Sequence, residues 1–435
     1  MTDTLLKRVI KIIPEDWERV KIGDIGSTYG GLTNKSKKDF GEGKPYIPFM
    51  NIMNNAKIDL DYFDYVNIQE GENQNRALEG DLFFNTSSET PEEVGMCAVL
   101  DKNILELYLN SFCFGFRLKD QDSLNPLFVS YFFRSDFGRK VMFPLAQGMT
   151  RYNLSKRYFL QLEIPKPKIE EQNKIIDILS TVDEAIEKTD AIIEETRQLK
   201  KGLMQKLFTE GIGHTRFKET KIGKIPEQWE TKLIGDFATK FKGGASLRPS
   251  DFVNSGTKVL PKLGVVPGGL LYIPKEKQQY CSNEYAETNK NALVETNYLI
   301  VVLRDLVPSG PSIGLIVRIP DREKYILAQG VYGLTIDTNQ LDRDYLIQLS
   351  NSTWYRKYMQ RIMVGSTQVH IRNKEFLKVV IPYPNIDEQR QIAQILSEVD
   401  AKIEKEEATK AELEQLKKGL MQVLLTGQIR VKVKA

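Results

Sequence analysis

Histidine and cysteine are scarce in this sequence, and that scarcity removes several kinds of chemistry. Among 435 residues there are two histidines, His214 and His370, and three cysteines, Cys97, Cys113 and Cys281. A zinc site takes three or four clustered nitrogen or sulfur ligands, so no metal site is expected. The cysteines are odd in number, far apart and set in apolar surroundings, which fits buried thiols in a reducing cytosol better than a disulfide frame. No apolar run approaches the ~18 residues that a membrane span needs. Met1-Thr2-Asp3-Thr4 lacks the basic and apolar regions of a signal peptide, so a cytoplasmic location is expected. A Walker A pattern is missing. The pairs Gly30-Gly31, Gly243-Gly244 and Gly268-Gly269 fit turns. Charge of either sign is also not in excess. Lys and Arg total 61 against 58 Asp and Glu, a net +3. That is not the footprint of a protein that coats nucleic acid, although one face can still be basic.

What is present is a repeat. Ile13-Pro14-Glu15-Asp16-Trp17-Glu18 returns as Ile225-Pro226-Glu227-Gln228-Trp229-Glu230, an offset of 212. Ile164-Pro165, Glu171-Gln172 and Ile178-Leu179-Ser180 return as Ile381-Pro382, Glu388-Gln389 and Ile395-Leu396-Ser397, an offset of 217. The octapeptide Gln198-Leu199-Lys200-Lys201-Gly202-Leu203-Met204-Gln205 returns unchanged as Gln415 to Gln422. The ends of the module are kept while the middles show little identity. A common frame with divergent middles describes two readers of different things on one scaffold. With 41% hydrophobic and 27% charged residues there is material for sizeable cores.

Each module ends in a long helical pattern. Ile175, Leu179, Val182, Ile186, Thr189, Ile193, Thr196, Leu199, Leu203 and Leu207 follow coiled-coil spacing. Ile392, Leu396, Val399, Ile403, Glu406, Lys410, Leu413, Leu416, Leu420 and Leu424 repeat it. One such seam cannot bury itself, so an antiparallel pair is expected. Ile186, Leu199, Leu203, Leu207, Ile403, Leu416, Leu420 and Leu424 are the candidates for the helix pair and for a partner interface. Glu406 and Lys410 at the seam centre either fix register or face solvent. Pro165, Pro167, Pro382 and Pro384 mark the helix entries, and Gly211 and Gly427 suit C-terminal caps. About 40 residues at ~1.5 Å each give a rod on the order of 60 Å long, against ~34 Å for a turn of DNA.

The predicted class is α+β: two mixed α/β domains and two long antiparallel helices in a pseudo-twofold tandem repeat. The boundaries are 1–165 for the first domain and 166–210 for the first helix. A linker at 211–225 leads to the second domain at 226–382, the second helix at 383–427 and a tail at 428–435. Thr426-Gly427-Gln428-Ile429-Arg430 resembles the start of the linker after Thr209, and the residues before Ile13 resemble its end. The two termini are therefore expected close together. Asn125-Pro126-Leu127-Phe128 is close to the Asn-Pro-Pro-Tyr/Phe loop of amino-methyltransferases, but it also reads as a capped helix start. The equivalent Leu341-Asp342-Arg343-Asp344 keeps only the cap. No catalytic constellation emerges. The loops offer Lys35, Lys37, Lys38, Asn85, Thr86, Arg151, Tyr152 and Asn153 in the first domain. Lys242, Arg248, Arg304, Gln368, His370 and Arg372 match them in the second. Such side chains bond base edges and phosphates.

These features resemble the specificity subunits of type I restriction–modification systems. The carriers are the twin Ile-Pro-Glu-x-Trp starts, the Gly-Met-Thr and Gly-Ser-Thr segments at Gly148 and Gly365, the twin Ile-Pro-x-Pro-x-Ile-x-Glu-Gln entries and the twin octapeptides. The resemblance implies two target recognition domains on double-stranded DNA, each reading half of a bipartite sequence. It also implies helices that space the domains and dock two modification methyltransferase subunits, with restriction/translocase subunits added. S-adenosylmethionine would belong to the methyltransferase partners, with no cofactor and no catalysis on this chain. The alternatives are a two-lobed scaffold that does not bind DNA and a divergent methyltransferase.

Overall fold

The computed structural model describes residues 13–320 and 322–432. The chain forms two compact units, Met1–Asp190 with Thr409–Ala435, and Ala191–Ala408. The first long helix spans Ile169–Thr209, 41 residues, and the second Ile386–Leu424, 39 residues. Each unit holds part of both helices.

In the first unit the strand Glu18–Lys21 pairs antiparallel with Glu163–Lys166, in register Glu18 with Lys166. The module's start is thereby tied to its helix entry. Between them lies a four-stranded antiparallel sheet in the order Gly26–Gly30, Cys113–Leu118, Leu82–Asn85, Cys97–Val99. Its inner face packs Phe84, Phe114, Phe116 and Phe159, with Phe84 and Phe114 stacked at 5.2 Å. The helix Pro126–Arg134 covers this face, and the Asn125 side chain caps it by accepting the Leu127 N–H at 2.9 Å. A second sheet orders Asp64–Val66, Phe40–Ile47 and Tyr108–Leu109.

The second unit repeats this frame. Glu230–Leu233 pairs with Val380–Tyr383, and the four-stranded sheet runs Ala238–Gly243, Val331–Ile336, Leu299–Val302, Ile316–Arg318. Where the first unit has three strands in its second sheet, this unit has five: Phe252–Val253, Tyr280–Cys281, Thr257–Leu260, Tyr325–Leu327 and Leu293–Val294. The divergence in sequence is thus a divergence in the outer sheet. A hairpin, Phe217–Thr220 with Gly223–Pro226, occupies the linker.

The repeated motifs meet in space. Trp17 Nε1 donates to Glu171 Oε2 at 3.1 Å, and Trp229 Nε1 to Glu388 Oε2 at 2.9 Å. Gln172 is buried. It accepts the Asn125 N–H at 2.8 Å and donates to the Ser123 and Pro167 carbonyls at 3.0 and 2.8 Å. Gln389 does the same with Asp342 N–H, Gln340 and Pro384. Each unit therefore pins its helix entry to the N-cap of a short helix, Pro126–Arg134 or Arg343–Asn351, where an unpaired amide would cost ~1–3 kcal/mol.

The helices run antiparallel within each unit. Lys417 pairs with Asp183, and Lys410 with Asp190 at 2.6 Å, in the first unit. Lys200 pairs with Asp400 and Arg197 with Glu407, both at 2.5 Å, in the second. The offset of 217 carries Asp183 to Asp400 and Lys200 to Lys417, so one ion pair is made twice. Lys410 is thus paired rather than simply solvated, and Glu406 is half-buried. The seam departs from the expected one at Leu199 and Leu416, which are 56% and 51% exposed. The first helix buries Ile175, Leu179, Val182, Ile193, Thr196 and Leu207 of that seam together with Met204 and Phe208; the end of the second buries Met421 and Leu424, with Leu425 just beyond it. Leu199 and Leu416 each follow two successive steps of three, Ile193–Thr196–Leu199 and Lys410–Leu413–Leu416, which at ~100° per residue turns each about 120° round the helix from the first of the three. Ile186, Leu203, Ile403 and Leu420 are half-buried.

Both helices close on a left-handed glycine, Gly211 at φ +67° and Gly427 at φ +70°. A Cβ on Gly211 would lie 2.6 Å from both Trp229 and Glu388, and one on Gly427 would lie 2.4 Å from Pro14. Beyond Gly427, Arg430 bonds Glu171 at 2.7 and 2.8 Å and Asp16 at 2.8 Å. In the second unit His214 Nε2 and the Ile212 N–H take Glu388, at 2.8 and 2.9 Å. The tail therefore stands in the first unit where the linker stands in the second. Residues 1–12 and 433–435, on which the expected closeness of the termini partly falls, lie outside the described residues.

Candidate nucleic-acid interface

In each unit one strand of the main sheet continues past its neighbours and pairs with a hairpin. Leu82–Asn85 leads into Ser87–Ser88, which pairs with Tyr152–Asn153. The hairpin's other arm is Ala146–Gln147. Leu299–Val302 leads into Arg304–Asp305, in register Arg304 with His370 and Asp305 with Val369. Both hairpins turn on a glycine, Gly148 at φ +142° and Gly365 at φ +118°. A Cβ there would lie 2.1 Å from the Arg151 carbonyl oxygen or 2.0 Å from that of Gln368. The repeated Gly-x-Thr segment is thus a backbone requirement. It brings Arg151, Tyr152 and Asn153 beside Thr86, and Gln368, His370 and Arg372 beside Arg304.

The first hairpin presents Met149, 93% exposed, with Arg151 and Asn153 also exposed. The Arg151 guanidinium lies 5.5 Å over the exposed Phe112 ring, and Thr86 Oγ1 donates to the Phe112 carbonyl at 2.7 Å. Around Gln368 the second unit exposes Leu306, Val307 and Val364. Arg, Gln and Asn can bond purine edges in pairs, and exposed apolar groups can meet a thymine methyl. Sequence reading did not single out Met149, Phe112, Leu306 or Val307. The signal for Met149 was an apolar residue at a turn tip.

Several predicted contacts are committed elsewhere. Lys35 bonds Glu72 and the Asn67 carbonyl, both at 2.6 Å, and its side chain is 6% exposed. Hydrogen bonds from Lys35, Gln74 and the Gln69 N–H hold Glu72 down to about 2. Asn85 is fully buried. It donates to the Ser87 and Glu93 carbonyls and accepts the Met96 N–H, so it shapes a loop instead of touching DNA. Lys242 donates to the Leu293 carbonyl at 3.0 Å and lies 5.1 Å over Tyr298. Lys37 and Lys38 are exposed on a short turn braced by Ser36 and Asp39. Arg248 is exposed beside a turn that Asp251 holds.

The groups that resemble chemistry are internally satisfied. Asp81, fully buried, takes Tyr29 at 2.6 Å and two bonds from Arg117. Burial and that carboxylate push the Tyr29 hydroxyl far up. Burial likewise pushes up the Cys97 and Cys113 thiols. The Asn125 amide donates to Asn173 while its oxygen accepts the Leu127 N–H, the geometry of a helix cap. Among the described residues no group of three or more His, Cys, Asp or Glu is placed to hold a metal ion. On the helices, the twin octapeptides leave Leu199 and Leu416 exposed beside Gly202 and Gly419, around which space is open.

Residues 14–197 and 226–415 each match the family model of the type I restriction modification DNA specificity domain. The chain is 28% identical over 435 residues to the type I restriction enzyme MjaVIII specificity subunit of Methanocaldococcus jannaschii, covering 97% of this chain and 94% of that one. It is also 20% identical to the EcoKI specificity subunit of Escherichia coli K12, over 89% and 83% of the two chains. Two solved structures share the fold. One is the S subunit from M. genitalium, at TM-score 0.53, 17% identity and 97% coverage of both chains. The other comes from work on complex assembly of the type I restriction–modification system, at TM-score 0.58, 18% identity and coverage of 96% and 99%.

Proposed function

The chain belongs to the type I restriction–modification DNA specificity family, and from that premise we propose that it reads an asymmetric, bipartite DNA target through the two hairpin surfaces. The observation that carries the assignment is the twin glycine-turned hairpin, beside Thr86 in one unit and Arg304 in the other, on a frame otherwise repeated motif for motif. The outer sheets differ, three strands against five, so the two half-sites differ. In this reading the long helices set the gap between half-sites. Leu199 and Leu416, identical in context and exposed, dock two copies of one modification subunit.

The chain itself is not a catalyst. S-adenosylmethionine is bound by the methyltransferase partners, which draw an adenine out of the duplex and methylate it, and restriction subunits complete the complex. In this reading Arg151, Tyr152, Asn153, Gln368, His370, Arg372, Arg304 and Thr86 touch DNA, supported by their place on or beside the two hairpins, and the exposed Lys37, Lys38 and Arg248 are outlying phosphate contacts. No helix of the described residues is long and apolar enough to cross a membrane. Methylation sequencing of a genome that carries the chain with its methyltransferase tests the reading. A single bipartite motif of unequal halves is expected; a continuous or palindromic motif would contradict it.

A further inference from the structure

Arg139 and Arg356 are related by the offset of 217, and each bonds the loop that leaves the strand paired with a hairpin. Each stands one turn into a short helix, Asp136–Met142 or Thr353–Ile362, whose N-cap is Ser135 or Ser352. The serine hydroxyl accepts the Gly138 N–H at 3.0 Å or the Tyr355 N–H at 3.2 Å, which fixes the first turn. From there the guanidinium reaches into a loop. Arg139 donates to the carbonyls of Glu92 at 2.8 and 3.2 Å, Gly95 at 3.0 Å and Val94. Arg356 donates to those of Ile313 at 2.5 Å, Pro311 at 2.7 Å and Gly310 at 3.3 Å. Burial lowers both groups, Arg139 to about 10. A charge kept where desolvation opposes it calls for a reason.

The loops supply one. Residues 89–95 leave the strand Ser87–Ser88, and residues 306–313 leave Arg304–Asp305, the two strands that carry the hairpins. A planar fork with five donors can span three carbonyls, whereas the compact ammonium of lysine cannot. We propose that Arg139 and Arg356 are positioning residues for base recognition, each holding the loop beside its hairpin in the shape that lets that unit discriminate its half-site. The proposal rests on reading the hairpin surfaces as DNA-facing. Phosphate contacts set register without sequence information, so loosening such a loop costs discrimination before it costs affinity for DNA at large.

The test uses the full complex with modification subunits. Binding is measured on the target duplex and on duplexes with single changes in each half-site, at several salt concentrations. Arg139→Lys keeps the charge and the aliphatic stem. It should cut the mismatch penalty in one half-site from ~10-fold or more to under ~3-fold, with the salt slope and the other half-site unchanged. Arg356→Lys should do the reciprocal. An unchanged mismatch profile, or a uniform loss at both half-sites, overturns the proposal. Asn153→Ala alters the hairpin without touching the loop. If it changes discrimination and Arg139→Lys does not, the positioning role fails while the surface stands; if neither does, the surface reading fails with it. Should Arg356→Lys not fold, Ser312→Ala removes the hydroxyl bond to Asp305 at 2.7 Å that braces the same loop from its other side. Unaltered base preference there overturns the proposal as well.

Discussion

Glu171→Gln isolates the tie that closes the first unit with the chain's own tail. The glutamine keeps an acceptor for Trp17 Nε1, at 3.1 Å in the native chain, but loses the charge facing Arg430. Arg430 reaches Glu171 with two bonds, at 2.7 and 2.8 Å. Bonds to charged groups contribute ~1.5–3 kcal/mol each when buried. The Arg430 side chain is 43% exposed and keeps Asp16 as a partner, so screening reduces the figure and about 1–2 kcal/mol for the pair is expected. For a unit of this size that lowers the midpoint by on the order of 5 °C. Calorimetry on Glu171→Gln, Arg430→Met and the double variant gives the coupling directly. Hydrogen exchange should show residues 426–432 losing protection while the second unit, closed by His214 on Glu388, is untouched. Additive effects, with no coupling between Glu171 and Arg430, would refute the tie.

Leu199→Asp with Leu416→Asp should abolish assembly with the modification subunits while circular dichroism stays native, since both side chains are more than half exposed; loss of helix signal would place them in the fold instead. Gly148→Ala forces a side chain against the Arg151 carbonyl at φ +142°. It should cost ~1–3 kcal/mol locally and weaken binding through one half-site, which a gel shift on duplexes altered in each half would show. Glu72 is held down to about 2 against an ordinary 4.5. A depressed carboxylate contributes stability that is complete above its unfolded value and is lost as pH falls toward the folded one. Acidification from 4.5 toward 2 should therefore release Lys35, and a carboxyl titration with a midpoint near 4.5 would contradict the ion pair.

The frame was legible because its motifs are local and doubled. Pro-Glu-x-Trp and Glu-Gln appear twice, and in the structure Trp17 and Trp229 bond Glu171 and Glu388. The caps at Asn125 and Asp342 were legible for the same reason. Leu199 and Leu416 fall off the seam because each follows two steps of three in a row, which swings the side chain about 120° round the helix. Lys35, Asn85 and Lys242 read as free loop residues because a polar side chain carries no mark of a distant partner. Lys242 bonds a carbonyl 51 residues away. The outer sheets were not legible, since all their strands but Phe40–Ile47 run two to four residues, as Tyr280–Cys281 does, and leave no periodicity to read. Arg139 and Arg356 left a signal that was passed over: a serine four residues before an arginine at matching places in both copies.

Exchanging residues 14–165 for the same segment of another specificity subunit, followed by methylation sequencing, tests most directly whether two independent readers share one frame. The new motif should change in one half only, with the spacer length and the other half retained. A change in both halves, or in the spacer, would contradict it.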